Sequence, residues 1–172
     1  NQSFWRHGHV QNGKFPNRSL GASEKNNFLL PAGKALLRYK FDGRNYLTLS
    51  GMISEKAPTF RNAYISPRTR DHVANGLTTE KITSGELRYD LRSPYLKLSV
   101  SGFYTQTKDG IETTSFYHED ERTFVNFTLT GIDRQYTGVE AAAQYTIVPG
   151  LIAEAGVSIG QYIHNSRPTA TI

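Results

Sequence analysis

Between Gln135 and Ile163 the chain alternates apolar and polar residues with a period of two, twice over. Val139, Ala141, Ala143, Tyr145 and Ile147 take every second position, with Gly138, Glu140, Ala142, Gln144 and Thr146 between them. Val148-Pro149-Gly150 interrupts the run, and Leu151, Ala153, Ala155, Val157 and Ile159 resume it around Glu154, Ser158 and Gly160. Successive side chains of a strand point to opposite faces, so the pattern predicts a β-hairpin with one apolar and one polar face. Which face meets oil and which meets water decides the rest of the reading.

Composition narrows that choice. The 172 residues suffice for one domain with a core. Hydrophobic content is 37% and mean hydropathy is -0.50, yet 10 Tyr and 9 Phe set the chain apart from disordered sequences. Cysteine is absent, which removes disulfides and thiolate metal sites. The net charge of +5 is not gathered into a Lys/Arg run, so nothing points to nucleic acid. No apolar run approaches the roughly 18–20 residues of a membrane-spanning helix. A membrane-spanning strand needs only about 9–11 residues, half of them polar, and leaves a composition like that of a soluble protein. The chain opens at Asn1 with neither initiator Met nor signal peptide, which reads as a fragment or a processed chain.

Taken in order, residues 1–27 read as a long polar loop containing Phe4-Trp5-Arg6-His7. A strand follows from Phe28, clearest at Leu37, Tyr39 and Phe41, and turns at Asp42-Gly43-Arg44-Asn45. Strands are expected over 46–55, 80–91 and 95–107, the last two joined by Arg92-Ser93-Pro94. Residues 56–79 form a second long connection and 110–131 a third, the third with room for its own hairpin around His118-Glu119-Asp120-Glu121. Short turns (42–45, 92–94, 148–150) therefore alternate with long polar connections. That is the asymmetry of transmembrane barrels, which have short turns at one rim and long loops at the other. Tyr39, Tyr46, Tyr89, Tyr95 and Tyr145 sit beside the three turns, where an aromatic girdle at a membrane interface would lie. The fold expected is all-β: an antiparallel transmembrane β-barrel of which this chain supplies about six to eight strands. Six cannot close such a barrel, because unpaired edge groups cost several kcal/mol each in hydrocarbon.

Four stretches, in order, then resemble the barrel of TonB-dependent outer-membrane receptors. Glu55-Lys56-Ala57-Pro58-Thr59-Phe60 is similar to that family's Arg-Ala-Pro loop start, with Glu-Lys in place of Phe-Arg. Glu80-Lys81-Ile82-Thr83-Ser84-Gly85-Glu86 resembles its Glu-Lys-Ser-x-x-x-Glu strand, and the stretch from Phe103 to Ile111 its Phe-Tyr-x-x-x-(Lys/Arg)-(Asp/Asn)-x-Ile element. Asn126 to Gly131 followed by Gly138-Val139-Glu140 resembles its Asn-x-x-x-x-Gly element and the strand start after it. The resemblance implies a barrel of about 22 strands around a plug. Residues 1–172 would be one partial barrel domain, with the plug and the other strands outside it. It implies a Gram-negative outer-membrane location, lipid around the wall, and TonB as the energy-coupling partner, engaged through a part of the protein outside this stretch. The implied activity is import of a scarce small ligand such as an iron chelate, cobalamin or an oligosaccharide, with no enzyme chemistry, cofactor or nucleic acid.

On that reading Glu86, Arg88, Asp90, Lys97, Glu140, Gln144 and Glu154 line the lumen, as a wall paired charge to charge across strands. Arg61, Tyr64, Arg68, Arg70, Tyr117 and Arg122 are long-loop residues placed to grip a ligand by charge-assisted hydrogen bonds. His118-Glu119-Asp120-Glu121 reads as a solvated loop rather than a metal site, and no Ser/His/Asp grouping has the spacing of a catalytic site. The competing expectation is a small self-contained β-barrel or sandwich for ligand binding or adhesion, with its apolar face inside.

Overall fold

The computed structural model describes residues 1–5, 7–8, 21–23, 25–64, 73–120 and 122–171. Its strands are β1 (Gln2–Phe4), β2 (His7–Gly8), β3 (Gly21–Ala22), β4 (Asn26–Phe28), β5 (Ala32–Lys40) and β6 (Asn45–Lys56). After one short helix, α1 (Phe60–Ala63), come β7 (Glu80–Arg92), β8 (Leu96–His118), β9 (Thr123–Val148), β10 (Leu151–His164) and β11 (Thr169–Thr171). The protein is all-β and antiparallel. Six long strands pair in chain order from β5 to β10, and β11 adds to the outer end of β9. β5 and β10 are not paired with each other, so the described sheet is open rather than a closed barrel.

Register carries the sequence alternation across all six strands. Leu37, Leu49, Leu87, Gly102, Val139 and Ile159 form one transverse row. Tyr39, Leu47, Tyr89, Val100, Ala141 and Val157 form another on the same face. The intervening row on the opposite face is Arg38, Thr48, Arg88, Ser101, Glu140 and Ser158. A slip of one residue would put charges into the apolar rows in β5, β7, β8, β9 and β10, and hydroxyls in β6, so the pattern itself holds the register.

Nothing among the described residues packs on the apolar face. Leu37 is 68% exposed, Leu87 50% and Ile159 73%. The buried apolar residues are Ala57, Ala63, Tyr64, Ala74 and Ile132, all at the end of the sheet away from the short turns. A compact protein of 19.3 kDa exposes about 8,500 Å². This chain exposes 11932 Å². It is a single layer lacking the second layer against which a domain ordinarily buries such a face.

The short turns are built as the sequence implies. Asp42 Oδ1 accepts from the backbone N–H of Arg44 (2.7 Å) and of Asn45 (2.8 Å), and Oδ2 accepts from Asn45 Nδ2 (2.8 Å). The Arg44 N–H is the largest of several causes holding the Asp42 carboxyl below its ordinary value. Pro149 leads into Gly150 at φ 90°, a conformation that favours glycine. At the other rim the third connection holds the hairpin for which it had room, built as a direct extension of β8 and β9. They run on past the sheet to a turn closed by the Arg122 N–H donating to the Glu119 carbonyl (3.2 Å), where Arg122 takes φ 48°. Bulges separate wall from extension: the β8–β9 register shifts between Thr107, Gly110 and Glu112, with Asp109 at φ 59° and Gly131 at φ 74°.

One close approach locks the wall. Phe103, on the polar face, lies over Gly138: a β-carbon there would sit 2.6 Å from the ring and 2.8 Å from the Ile159 carbonyl oxygen. Gly138→Ala should therefore destabilise the folded wall by about 1–3 kcal/mol, because the backbone oxygen cannot give way as a ring can. Gly102→Ala, whose β-carbon meets nothing nearer than 4.0 Å, should change little. Urea midpoints of the two variants in lipid vesicles check this. The Asp42 turn carries a pH dependence of known sign. A lowered folded pKa stabilises above the ordinary carboxylate value and loses that contribution as pH falls through the folded value. Carbon-detected NMR should find Asp42 titrating below unperturbed Asp.

Candidate functional site: the polar face and the loop rim

The expected lumen residues share one face. Glu86, Arg88, Asp90, Lys97, Glu140, Gln144 and Glu154 all occupy the polar rows, joined there by Lys34, Arg38, Lys40 and Arg92. Three shallow clefts open on this face. The largest, about 690 Å³, has a floor of Ser99, Ala142 and Gly156 and charged walls that include Asp90, Arg92, Lys97 and Glu154. A second of about 520 Å³ lies between Arg88, Ser101, Glu140 and Ser158. A third of about 170 Å³ lies beside Lys34, Ser84 and Glu86. Small residues in the middle of the rows leave these hollows, and charges at their edges keep them wet.

Among the seven expected lumen residues, charge-to-charge pairing across strands does not form. Arg88 pairs with Glu86 two residues along its own strand, at 2.7 Å. Arg38 Nε donates to Thr48 Oγ1 (3.1 Å), and Ser158 Oγ donates to Glu140 Oε1 (3.4 Å). Asp90, Lys97 and Glu154 form no ion pair within 4.0 Å among the described residues. Directly facing residues are Lys97 and Gln144, then Gln144 and Glu154, so opposite charges among these seven do not fall opposite one another; nearer the loop end Lys56 does face Glu80, at 4.0 Å.

The apolar face is uncharged from the short turns up to the row of Ile53, Thr83, Gln106 and Gln135. The next row on that face is Glu55, Lys81 and Lys108. There Lys81 reaches Asp109 at 3.3 Å, and Glu55 Oε2 accepts from Thr79 Oγ1 at 2.5 Å. The uncharged span on β8, Leu96 to Gln106, is thus about 11 residues, the length of a membrane-crossing strand. Tyr39, Tyr89 and Tyr145 lie on this face near the turns, with Phe41 edge-on to Tyr39 at 4.9 Å. Tyr46 departs from the expected girdle. It pairs with Lys40 and Asp90 on the polar face, under the Lys40 ammonium and the Arg92 guanidinium. Tyr95 stands exposed in the turn itself.

The expected loop-grip residues disperse. Arg68 and Arg70 lie outside the described residues. Tyr64 is fully buried, 5.0 Å from Phe60 and 6.1 Å from Phe4, with its hydroxyl bonded to Ser23 Oγ (2.9 Å) and Asn26 Nδ2 (3.2 Å). It anchors a loop rather than offering itself to a ligand. Thr59 caps α1 by accepting from the Asn62 N–H, and Asn62 Nδ2 bonds the Ile111 carbonyl at 2.8 Å, fixing this cluster to β8. Arg61, in the last turn of α1, is exposed. Tyr117 is exposed and edge-on to Phe124 at 5.4 Å near the tip of the β8–β9 extension, with Arg122 in the turn beyond. No group of His, Asp and Glu suited to a metal ion occurs among the described residues, and Glu121 lies outside them. Beneath the bulges a polar cleft of about 320 Å³ holds Lys56, Glu80, Asp109, Glu112 and Arg134. Arg134 reaches Glu112 at 3.2 Å, and its Nε is buried without a partner.

One group escaped the sequence reading. Tyr136 and Tyr162 are cross-strand partners on the polar face, their rings 4.5 Å apart, and His164 stands edge-on to Tyr162 at 4.8 Å. Their signal was in the sequence: aromatic residues in the polar phase of the alternation. Comparison with known protein families, characterised proteins and solved structures finds no match to this chain.

Tyr64→Ala should cost about 3–5 kcal/mol of local packing and free β1 and β4 from the rim, read as faster amide exchange at Gln2–Phe4. Tyr64→Phe should lose only the hydroxyl's bonds, about 0.5–1.5 kcal/mol.

Proposed function

We propose that the chain is part of the wall of an outer-membrane β-barrel of the TonB-dependent receptor kind, importing a scarce ligand by energy-coupled transport. The observation that carries this reading is the separation of charge between the two faces of a single-layer sheet. Between the short turns and the row of Glu55, Lys81 and Lys108, every charge on the six strands lies on one face, while the other is apolar and exposed. Lipid matches the apolar face, and a water-filled lumen matches the clefts of the polar face. The open edges at β5 and β10 support a larger sheet, since neither is tolerated in hydrocarbon unpaired. Among the described residues no helix is long and apolar enough to cross a membrane, which leaves crossing by strands untouched. The family, the plug, TonB and the nature of the ligand rest on the four sequence stretches alone.

Depth supplies the test. Ala141 sits in a middle row of the uncharged band, Ala143 one row nearer the turns, and Gln144 on the polar face. In the protein expressed from its entire open reading frame and folded into vesicles, Ala141→Arg should cost about 2–4 kcal/mol. Ala143→Arg should cost less, and Gln144→Arg close to nothing. Equal costs at all three positions, or a protein that stays monomeric in buffer without detergent, would sink the membrane reading.

A further inference from the structure

We propose that Tyr136 and Tyr162, with Thr105 beside them, form a binding shelf for a neutral saccharide at the outer end of the polar face. The inference rests on that face being the water-filled side of the wall. Thr105, Tyr136 and Tyr162 are consecutive partners in one row across β8, β9 and β10. Tyr136 is 49% exposed and Tyr162 44%. Neither hydroxyl is bonded within the described residues. The next row towards the turns holds Gly138 and Gly160, which have no side chains, so nothing stands up in front of the rings except Phe103, which lies flat over the glycines. Two aromatic rings, set against each other and with His164 edge-on to Tyr162, thus stand half-exposed on a face that is mostly charged or hydroxylated but also carries Leu36, Met52 and Phe103.

The chemistry of the surroundings selects the ligand. An aromatic face is electron-rich and attracts weakly positive C–H groups, such as those on one side of a pyranose ring. The hydroxyls around the shelf, those of Thr105, of Ser84 bonded to it at 2.8 Å and of the tyrosines themselves, suit the polar rim of such a ring. A highly charged chelate would need a free cation here. Arg134, the nearest, is bound to Glu112. Lys34, in the same row, lies four strands away, about 19 Å at ordinary strand spacing. The shelf is therefore close to neutral and fits a neutral oligosaccharide better than an anionic iron complex.

The test uses the protein from its entire open reading frame, purified in detergent, with maltoheptaose, cellohexaose and mannohexaose as neutral probes and ferric tris-catecholate as the anionic one. Calorimetry should show at least one sugar binding. Tyr136→Ala and Tyr162→Ala should each weaken it at least about tenfold, as loss of a central aromatic contact does. The Phe variants should stay within about threefold, and salt from about 0.1 to 1 M should leave the affinity unchanged. The shelf is overturned if no sugar binds at about 10 mM, if only the ferric complex binds, or if the Ala variants bind like the parent. Retention in carbonate-washed membranes and a heat-modifiable gel band are measured on the same protein. If both hold while sugars fail, the shelf alone is wrong. If both are lost, the membrane reading falls and the shelf with it.

Discussion

Everything in this structure depends on one antiparallel ladder whose two faces want different solvents. The backbone hydrogen bonds between β5 and β10 satisfy the interior strands but say nothing about which way the sheet faces. The side chains do that. Because strand periodicity is two and the register is unbroken through the wall, each residue's parity assigns it to a solvent. Placing Arg38, Arg88, Glu140 and Glu154 on one side leaves Leu37, Leu87, Val139 and Ile159 on the other. A soluble sandwich would meet this by folding a second sheet over the apolar side. The described residues supply no such layer, and the excess of exposed surface over a compact protein of this mass reflects it.

The bulges around Asp109, Gly110 and Gly131 mark where that rule stops. Below them the two faces differ sharply. Above them β8 and β9 continue as an extension, joined along Thr128–Thr130 by β11, in which both faces mix hydroxyls and rings: Thr113 bonds Thr128, while Phe116 packs edge-on to Phe127. The extension has no preferred solvent side, unlike the sheet below it. The charged row of Glu55, Lys81 and Lys108 falls at the same level, as does the buried cluster around Ala63 and Tyr64. Three independent features thus agree on where the wall ends and the loop rim begins.

Much of this was legible in the alternation. The strands, the three short turns and the two faces follow from period and turn chemistry, and the expected lumen residues fall together for that reason. Three things were not legible, each for a physical cause. The continuity of β8 and β9 with their extensions is hidden by Asp109 at positive φ and a double register shift, which break the period without ending the strand, so the segment reads as a long connection with a hairpin of its own. Tyr46 and Tyr64 were judged by position alone. Parity puts Tyr46 on the polar face, and contacts with Phe4 and Phe60, distant in the chain or hidden in a helix of four residues, bury Tyr64. Ion pairing across strands was expected because charges were frequent, but register sets Lys97 against Gln144 rather than against an acid.

The two open edges finish the physical case. In water an unpaired edge strand is tolerated when it is short, charged or kinked. β10 is 14 residues long and exposed almost throughout, with Ala153, Ala155, Val157 and Ile159 on its apolar face. It carries one charged residue, Glu154, and that points to the polar side. Beyond the register shift at Leu151 and Ile152 and the single charge of Glu154, this edge lacks the devices that keep a soluble sheet from pairing with its neighbours. The edge and the uncharged face therefore leave the same strand unsatisfied on two sides: β10 pairs only with β9, and among the described residues no layer covers its apolar side chains.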